Sequence, residues 1–270
     1  MKKKVTISIS DDLLKSVDAL IDNKTVRNRS NAIENLLHKT LGFAVQKGVI
    51  LAGGRKNSKP VSIRQIAGRP LLQMQLDYLK LYGICNVLIC AGRFTDELQK
   101  KFGDGSQFGM CLEYSREEKP LGTAGAVLNA KKLIGNQRFL VLHADVLTEF
   151  NLADLIKFHA GEDAKFTIAV KPRLAERKFG KVIIVGNKIV EFIQDEGDRG
   201  TSIVNAGVYL FEPEIFDYIP KDKPSYFERD VFPQLAKKRE LSAYIFQGKW
   251  YEVSRYKDYL IAKKEWENSV

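Results

Sequence analysis

The chain has 270 residues, 44% of them hydrophobic and 28% charged, with a formal net charge of +10. This composition suits one sizeable globular domain with room for a small appendage, and excludes a low-complexity or disordered chain. The apolar runs are far too short to cross a bilayer, and the residues after Met-Lys-Lys-Lys alternate rather than forming an export signal, so a cytoplasmic protein with no membrane partner is expected.

Positive charge is densest at the N-terminus, where residues 1–42 hold eight Lys or Arg against five acids. Lys4 to Ser10 alternates with a period of two, which predicts a strand with Val5, Ile7 and Ile9 on one side and Lys4, Thr6 and Ser8 on the other. Ser10 is placed to cap a helix with Asp11 and Asp12 in its first turn and Leu13, Leu14, Val17, Leu20 and Ile21 along one face. Ser30 is placed to cap a second helix striped by Ala32, Ile33, Leu36, Leu37 and Leu41. One strand and two short helices cannot close a core alone, so a homodimer or higher assembly is expected. The pattern over residues 1–42 resembles the ribbon-helix-helix repressors. That resemblance implies DNA as a partner, with Lys4, Thr6 and Ser8 at base edges and Ser30 and Asn31 holding a phosphate.

Beyond residue 47 the chain reads as α/β. Gly48-Val-Ile-Leu-Ala-Gly-Gly54 is a buried strand running into a glycine turn. Further strands are predicted over 86–90, 111–114, 138–143 and 166–170, separated by helices near 70–82, 94–102, 123–134 and 151–159. Such alternation predicts a Rossmann-like, mostly parallel sheet covered on both faces. Cys85, Cys90 and Cys111 lack metal-ligand spacing and read as buried free thiols. His38, His143 and His159 read as structural.

Several ordered segments carry a second resemblance: Leu51-Ala-Gly-Gly54, Ala67-Gly-Arg-Pro-Leu-Leu72, Pro120-Leu-Gly-Thr-Ala-Gly125, Leu142-His-Ala-Asp145, Asn205-Ala-Gly-Val-Tyr209 and Glu228-Arg-Asp-Val-Phe-Pro233. Together they resemble the sugar-phosphate nucleotidyltransferases, which make activated sugars from a nucleoside triphosphate and a sugar 1-phosphate. The resemblance implies a nucleotide-diphospho-sugar transferase fold over 47–270. It implies nucleotide contacts from Leu51, Ala52, Gly53, Gly54, Pro120, Gly122 and Thr123, and sugar contacts from Asn205 and Gly207. Mg²⁺ is implied at Asp145 and Glu252, with Lys59 as a catalytic cation.

Other positions depart from that family pattern. The loop after Gly54 is short and lacks the second glycine and the Thr-Arg pair; Val61 stands where a lysine belongs. Gln194 and Asp195 replace a Glu-Lys pair, and Glu252 replaces an aspartate. Loss of cations from a phosphoryl-transfer site points to binding without turnover. The expectation is a DNA-binding transcriptional regulator whose nucleotidyltransferase-like domain senses a nucleotide, nucleotide-sugar or sugar phosphate. The alternative is an active Mg²⁺-dependent sugar-1-phosphate nucleotidyltransferase that uses its N-terminal module to dimerise or self-regulate.

Overall fold

The computed structural model describes residues 6–21, 26–30, 32–33, 36, 45–54, 59–162, 164–174, 181–193 and 201–267. The chain divides into two compact units, Met1–Ala44 and Val45–Val270. In the first unit, helix α1 (Asp11–Asp18) starts after an extended Ser10, whose side chain makes no cap bond. The carboxylate of Asp18 takes two hydrogen bonds from Arg29, at 2.6 and 2.8 Å. Thr6 to Ser10 make no strand pairing within the chain; the expected ladder joins two copies. One expectation is corrected here. Ser30 already lies inside the second helix, whose first turn closes from Ala32 N–H to the Asn28 carbonyl at 2.9 Å. Thr6, Ser8 and Ser30 are exposed, while Lys4 and Asn31 fall outside the described residues.

The second unit is built on a nine-stranded sheet. In chain order its strands are β1 (Lys47–Leu51), β4 (Asn86–Cys90), β5 (Cys111–Ser115), β6 (Phe139–His143), β8 (Phe166–Leu174), β9 (Lys181–Val185), β10 (Lys188–Ile193), β11 (Thr201–Phe211) and β12 (Leu241–Ile245). Their spatial order is β5-β4-β1-β6-β11-β8-β12-β10-β9. The first four are mutually parallel, but β11 enters antiparallel to both β6 and β8. The sheet is therefore mixed rather than mostly parallel: beyond β6 only β8 and β12 run together.

Helices α2 (Leu71–Leu81), α3 (Thr95–Phe102), α4 (Gly122–Asn129), α5 (Lys131–Ile134) and α6 (Leu152–Gly161) follow strands in the alternating half. The long helix expected over 123–134 breaks at Ala130 into α4 and α5. Helices α7 (Phe232–Lys237) and α8 (Tyr256–Glu267) complete the unit. Both sheet faces are covered, so successive residues of β1 enter different cores. Ile50 packs with Leu76 and Phe150, and Val49 with Ala124 and Phe139, all nearly or fully buried. This explains the unbroken apolar runs in the central strands, and each such side chain contributes about 1.5–3 kcal/mol of burial free energy. Cys90 is buried as expected, but Cys111 is exposed, since it opens the edge strand β5.

Two smaller ribbons matter for the site. β2 (Gln65–Ile66) and β3 (Arg69–Pro70) form a hairpin, and β7 (Val146–Thr148) pairs antiparallel with β13 (Trp250–Glu252). No described helix is long and apolar enough to cross a membrane.

Candidate functional site

Parallel strands of an α/β sheet end on one side, and loops leaving neighbouring strands open a crevice there. In this chain a cavity of about 660 Å³ lies beyond the carboxyl ends of β1, β4 and β6. Its wall includes Leu51, Ala52, Gly53, Gly54, Pro120, Gly122, Thr123 and Asp145, so every residue expected to touch a nucleotide meets in one place. The loop is pinned to the sheet by Ala52 N–H donating to the Cys90 carbonyl at 2.8 Å and Ala144 N–H donating to the Leu51 carbonyl at 3.0 Å.

One wall is the amino end of α4. Ala124 and Gly125 donate their N–H groups to the Ser225 carbonyl at 3.0 and 3.1 Å. Gly122 is obligatory: its φ is +77°, and a Cβ there would lie 2.3 Å from the Ser225 oxygen. Glu117 reaches back to accept the Leu121 N–H at 3.2 Å, and burial pushes its carboxyl above the usual value. Cys90 also borders the cavity, but burial raises its thiol to about 12, which removes it as a nucleophile at neutral pH.

Of the two expected carboxylates, Asp145 lines the cavity and Glu252 does not. Asp145 follows β6 in a turn braced by the side chain of Gln75, which donates to the carbonyls of His143 and Val146 at 2.9 and 2.6 Å. Val146 is the ladder partner of Glu252 in the β7–β13 ribbon, and Val253 N–H donates to the Asp145 carbonyl at 2.7 Å. Two segments over a hundred residues apart thereby bring Asp145 and Glu252 together. Glu252 is raised above the usual carboxylate value, first by burial and then by the charge of Asp145. Arg64 holds the same ribbon through the Val253 and Ser254 carbonyls.

Asn205 and Gly207 sit where β11 shifts register against β8, between Asn205 and Tyr209. There Gly207 takes φ +71° and gives its N–H to Asn205 Oδ1 at 3.0 Å. A polar chain runs from this bulge toward α4: Asn205 Nδ2 donates to Tyr209 Oη at 2.9 Å, Tyr209 donates to Glu228 at 3.1 Å, and Thr123 donates to Glu228 at 3.4 Å. Neither Asn205 nor Gly207 lines the cavity itself. Lys59 is exposed and lies off the wall, two residues before Val61, which lines it. The described cations on the wall are Arg93 and Lys119, neither of which the sequence reading had singled out. Gln75 and His143 were likewise missed as site residues; a buried glutamine at the core-facing side of a helix was the one available signal.

The nucleotidyl transferase family model matches residues 47–269. The catalytic subunit beta of mannose-1-phosphate guanylyltransferase from Drosophila melanogaster is 30% identical over 225 residues, covering 79% of this chain and 61% of that protein. Mannose-1-phosphate guanylyltransferase from Mycobacterium tuberculosis is 33% identical over 195 residues, covering 69% and 54%. The chain thus spans well under two thirds of the length of these relatives. Among solved structures, HddC from Yersinia pseudotuberculosis complexed with GMP-PN superposes with a TM-score of 0.71 at 24% identity, covering 82% of this chain and all of that one. A UDP-glucose pyrophosphorylase complexed with UDP-glucose gives 0.69 at 20% identity, covering 84% and 100%. The α/β nucleotide-diphospho-sugar transferase fold is thereby established. The expectation of a DNA-binding regulator is overturned: these relatives are named as enzymes, and none is named as a regulator.

Proposed function

Since the chain belongs to the nucleotidyl transferase family, we propose that its large unit is an active, Mg²⁺-dependent sugar-1-phosphate nucleotidyltransferase. The phosphate oxygen of the sugar 1-phosphate attacks the α-phosphorus of a nucleoside triphosphate. Pyrophosphate leaves, and the product is a nucleotide-sugar.

The observation that carries this reading is the convergence of Glu252 on Asp145, which lines the glycine-walled cavity. Two neighbouring carboxylates, both half-buried, repel each other unless a cation stands between them. Hard oxygen donors of this kind fit Mg²⁺. Among the described residues no third His, Cys, Asp or Glu joins them, which suits an ion that completes its shell with phosphate and water. When bound, Mg²⁺ neutralises charge on the reacting phosphates. The protein's part is positional. Leu51 to Gly54 and the start of α4 hold the nucleotide, and Gly122 permits a close backbone approach. Arg93 and Lys119 supply positive charge to the wall in place of the cations missing from the loop. Asn205 and Gly207 lie on the sugar side.

Guanylyltransferases among the relatives, and a structural neighbour holding GMP-PN, support GTP and mannose 1-phosphate as the first pair to assay. The test is pyrophosphate release with Mg²⁺ across the four nucleoside triphosphates and a panel of hexose 1-phosphates. Release that requires both substrates and disappears in Asp145→Ala is the expected result; no release from any pair overturns the proposal.

A further inference from the structure

We infer that Tyr226 is a substrate-binding residue, whose aromatic ring packs against a ring of the bound substrate. This rests on the reaction proposed above, and adds to it a contact from a residue that the sequence reading did not single out.

Single exposed aromatics are ordinary on an open surface. Tyr226 is 40% exposed, but it lies in the wall of the cavity and is held still there. Its backbone is fixed on both sides. The preceding Ser225 donates its N–H to the Leu121 carbonyl at 2.8 Å and accepts from Ala124 and Gly125, which docks the segment on the first turn of α4. Tyr226 N–H donates to the Asp230 carboxylate, and Asp230 N–H returns a bond to the Tyr226 carbonyl, both at 2.8 Å. Residues Phe227–Val231 wind as a π-helical turn, a distortion that recurs at functional sites.

The ring is fixed as well. The Arg229 guanidinium lies over it, 4.6 Å from the centroid, and is itself held by the Asp230 carboxylate at 3.1 Å. An edge rests on the backbone of Gly122, where an added Cβ would stand 3.1 Å from Tyr226 Cε2. A glycine therefore seats the ring, and the surface that Arg229 and Gly122 leave uncovered borders the cavity.

An aromatic face carries the negative side of the ring quadrupole, so it repels phosphate oxygens and favours C–H bonds and other rings. In the proposed reaction the nucleoside and the sugar both offer that chemistry. The position of Tyr226 suits both. Gly122 beside it belongs to the nucleotide wall, while Glu228, two residues on, joins the Asn205 and Tyr209 cluster on the proposed sugar side. A ring immobilised before the ligand arrives loses little further freedom on binding.

Calorimetric titration separates ring packing from other roles. The ligands are the nucleoside triphosphate and hexose 1-phosphate that react in the panel above (GTP and mannose 1-phosphate if none reacts), the corresponding nucleotide-sugar, and pyrophosphate, which has no ring. Tyr226→Ala should weaken the nucleotide-sugar and whichever substrate supplies the ring by about five- to tenfold. Pyrophosphate affinity should stay within about twofold. Tyr226→Phe keeps the ring and should bind every ligand as the wild type does. A loss for the triphosphate assigns the contact to the nucleoside, and a loss for the hexose phosphate assigns it to the sugar. Undiminished binding in Tyr226→Ala, an equal loss for pyrophosphate, or a Tyr226→Phe protein as weak as Tyr226→Ala would overturn the inference. A wild type that binds these ligands without releasing pyrophosphate ends the proposed reaction, while the same titrations still decide the contact. A wild type that binds none of them overturns both.

Discussion

Gln75 and Val146 are joined by a 2.6 Å hydrogen bond from the glutamine amide to the valine carbonyl, and the same nitrogen meets the His143 carbonyl at 2.9 Å. The two carbonyls bracket Ala144 and Asp145, so a residue of α2 sets the position of the carboxylate at the end of β6. Gln75→Leu keeps the bulk but orphans both carbonyls, which costs about 1–3 kcal/mol. Chemical denaturation should report that loss. Turnover should fall, with a raised Mg²⁺ requirement, because Asp145 is no longer held. Unchanged Mg²⁺ dependence would separate stability from positioning and remove Gln75 from the site.

Removing either carboxylate tests the metal assignment directly. Asp145→Asn and Glu252→Gln should each lower kcat by about a hundredfold or more, the scale expected when a preorganised charge is lost from a phosphoryl-transfer site. Mg²⁺ titration by calorimetry should show weakened binding in both variants. A Glu252→Gln protein with ordinary kcat would assign the metal to Asp145 alone.

The raised Glu252 carboxyl has a consequence for stability with a definite sign. The folded protein retains the Glu252 proton at pH values where the unfolded chain, near 4.5, has already lost it. The folded state then binds more protons, so this group's contribution to stability declines as pH rises from about 4.5 through the raised value. Glu117 acts in the same direction. Without Mg²⁺, Tm should drop across that window more steeply in the wild type than in Glu252→Gln. Adding Mg²⁺ above the window should restore wild-type Tm and leave the variant unmoved. Parallel pH profiles for the two proteins would refute the coupling.

Gly122→Ala forces a left-handed residue to carry a Cβ 2.3 Å from the Ser225 oxygen. Backbone strain of this kind costs about 1–3 kcal/mol, and displacing the 225–226 segment adds to it. The amino end of α4 is a wall of the cavity, so nucleotide binding should weaken along with stability, measured by calorimetry and denaturant unfolding respectively. Wild-type affinity in the folded variant would take this wall out of the nucleotide site.

Much of the large unit was readable from the chain. Strands at 86–90 and 166–170 and the helix near 94–102 were visible because buried strands are continuously apolar and helices are periodic. What escaped was partner choice. Nothing in residues 201–211 says that β11 inserts antiparallel between β6 and β8, since a strand buried on both faces looks the same in either direction. At the N-terminus, alternation over Lys4 to Ser10 described a strand whose pairing the single chain does not provide. The inference from missing cations to missing catalysis has a related limit. It counted charges along one loop, while Arg93 and Lys119 reach the cavity wall from other loops.

By itself, the sequence determined the α/β character and the glycine turn that lines the cavity, and it put Asp145 and Glu252 forward as a carboxylate pair, because these depend on local pattern and on side-chain chemistry carried by short segments. Only the tertiary structure decided that Asp145 meets Glu252, that Gln75 braces the turn before it, and that His143 stands edge-on to Tyr209. Each of those relations joins residues distant in sequence through sheet register, bulge geometry and hydrogen-bond accounting, which act between segments and leave no periodic trace in any one of them.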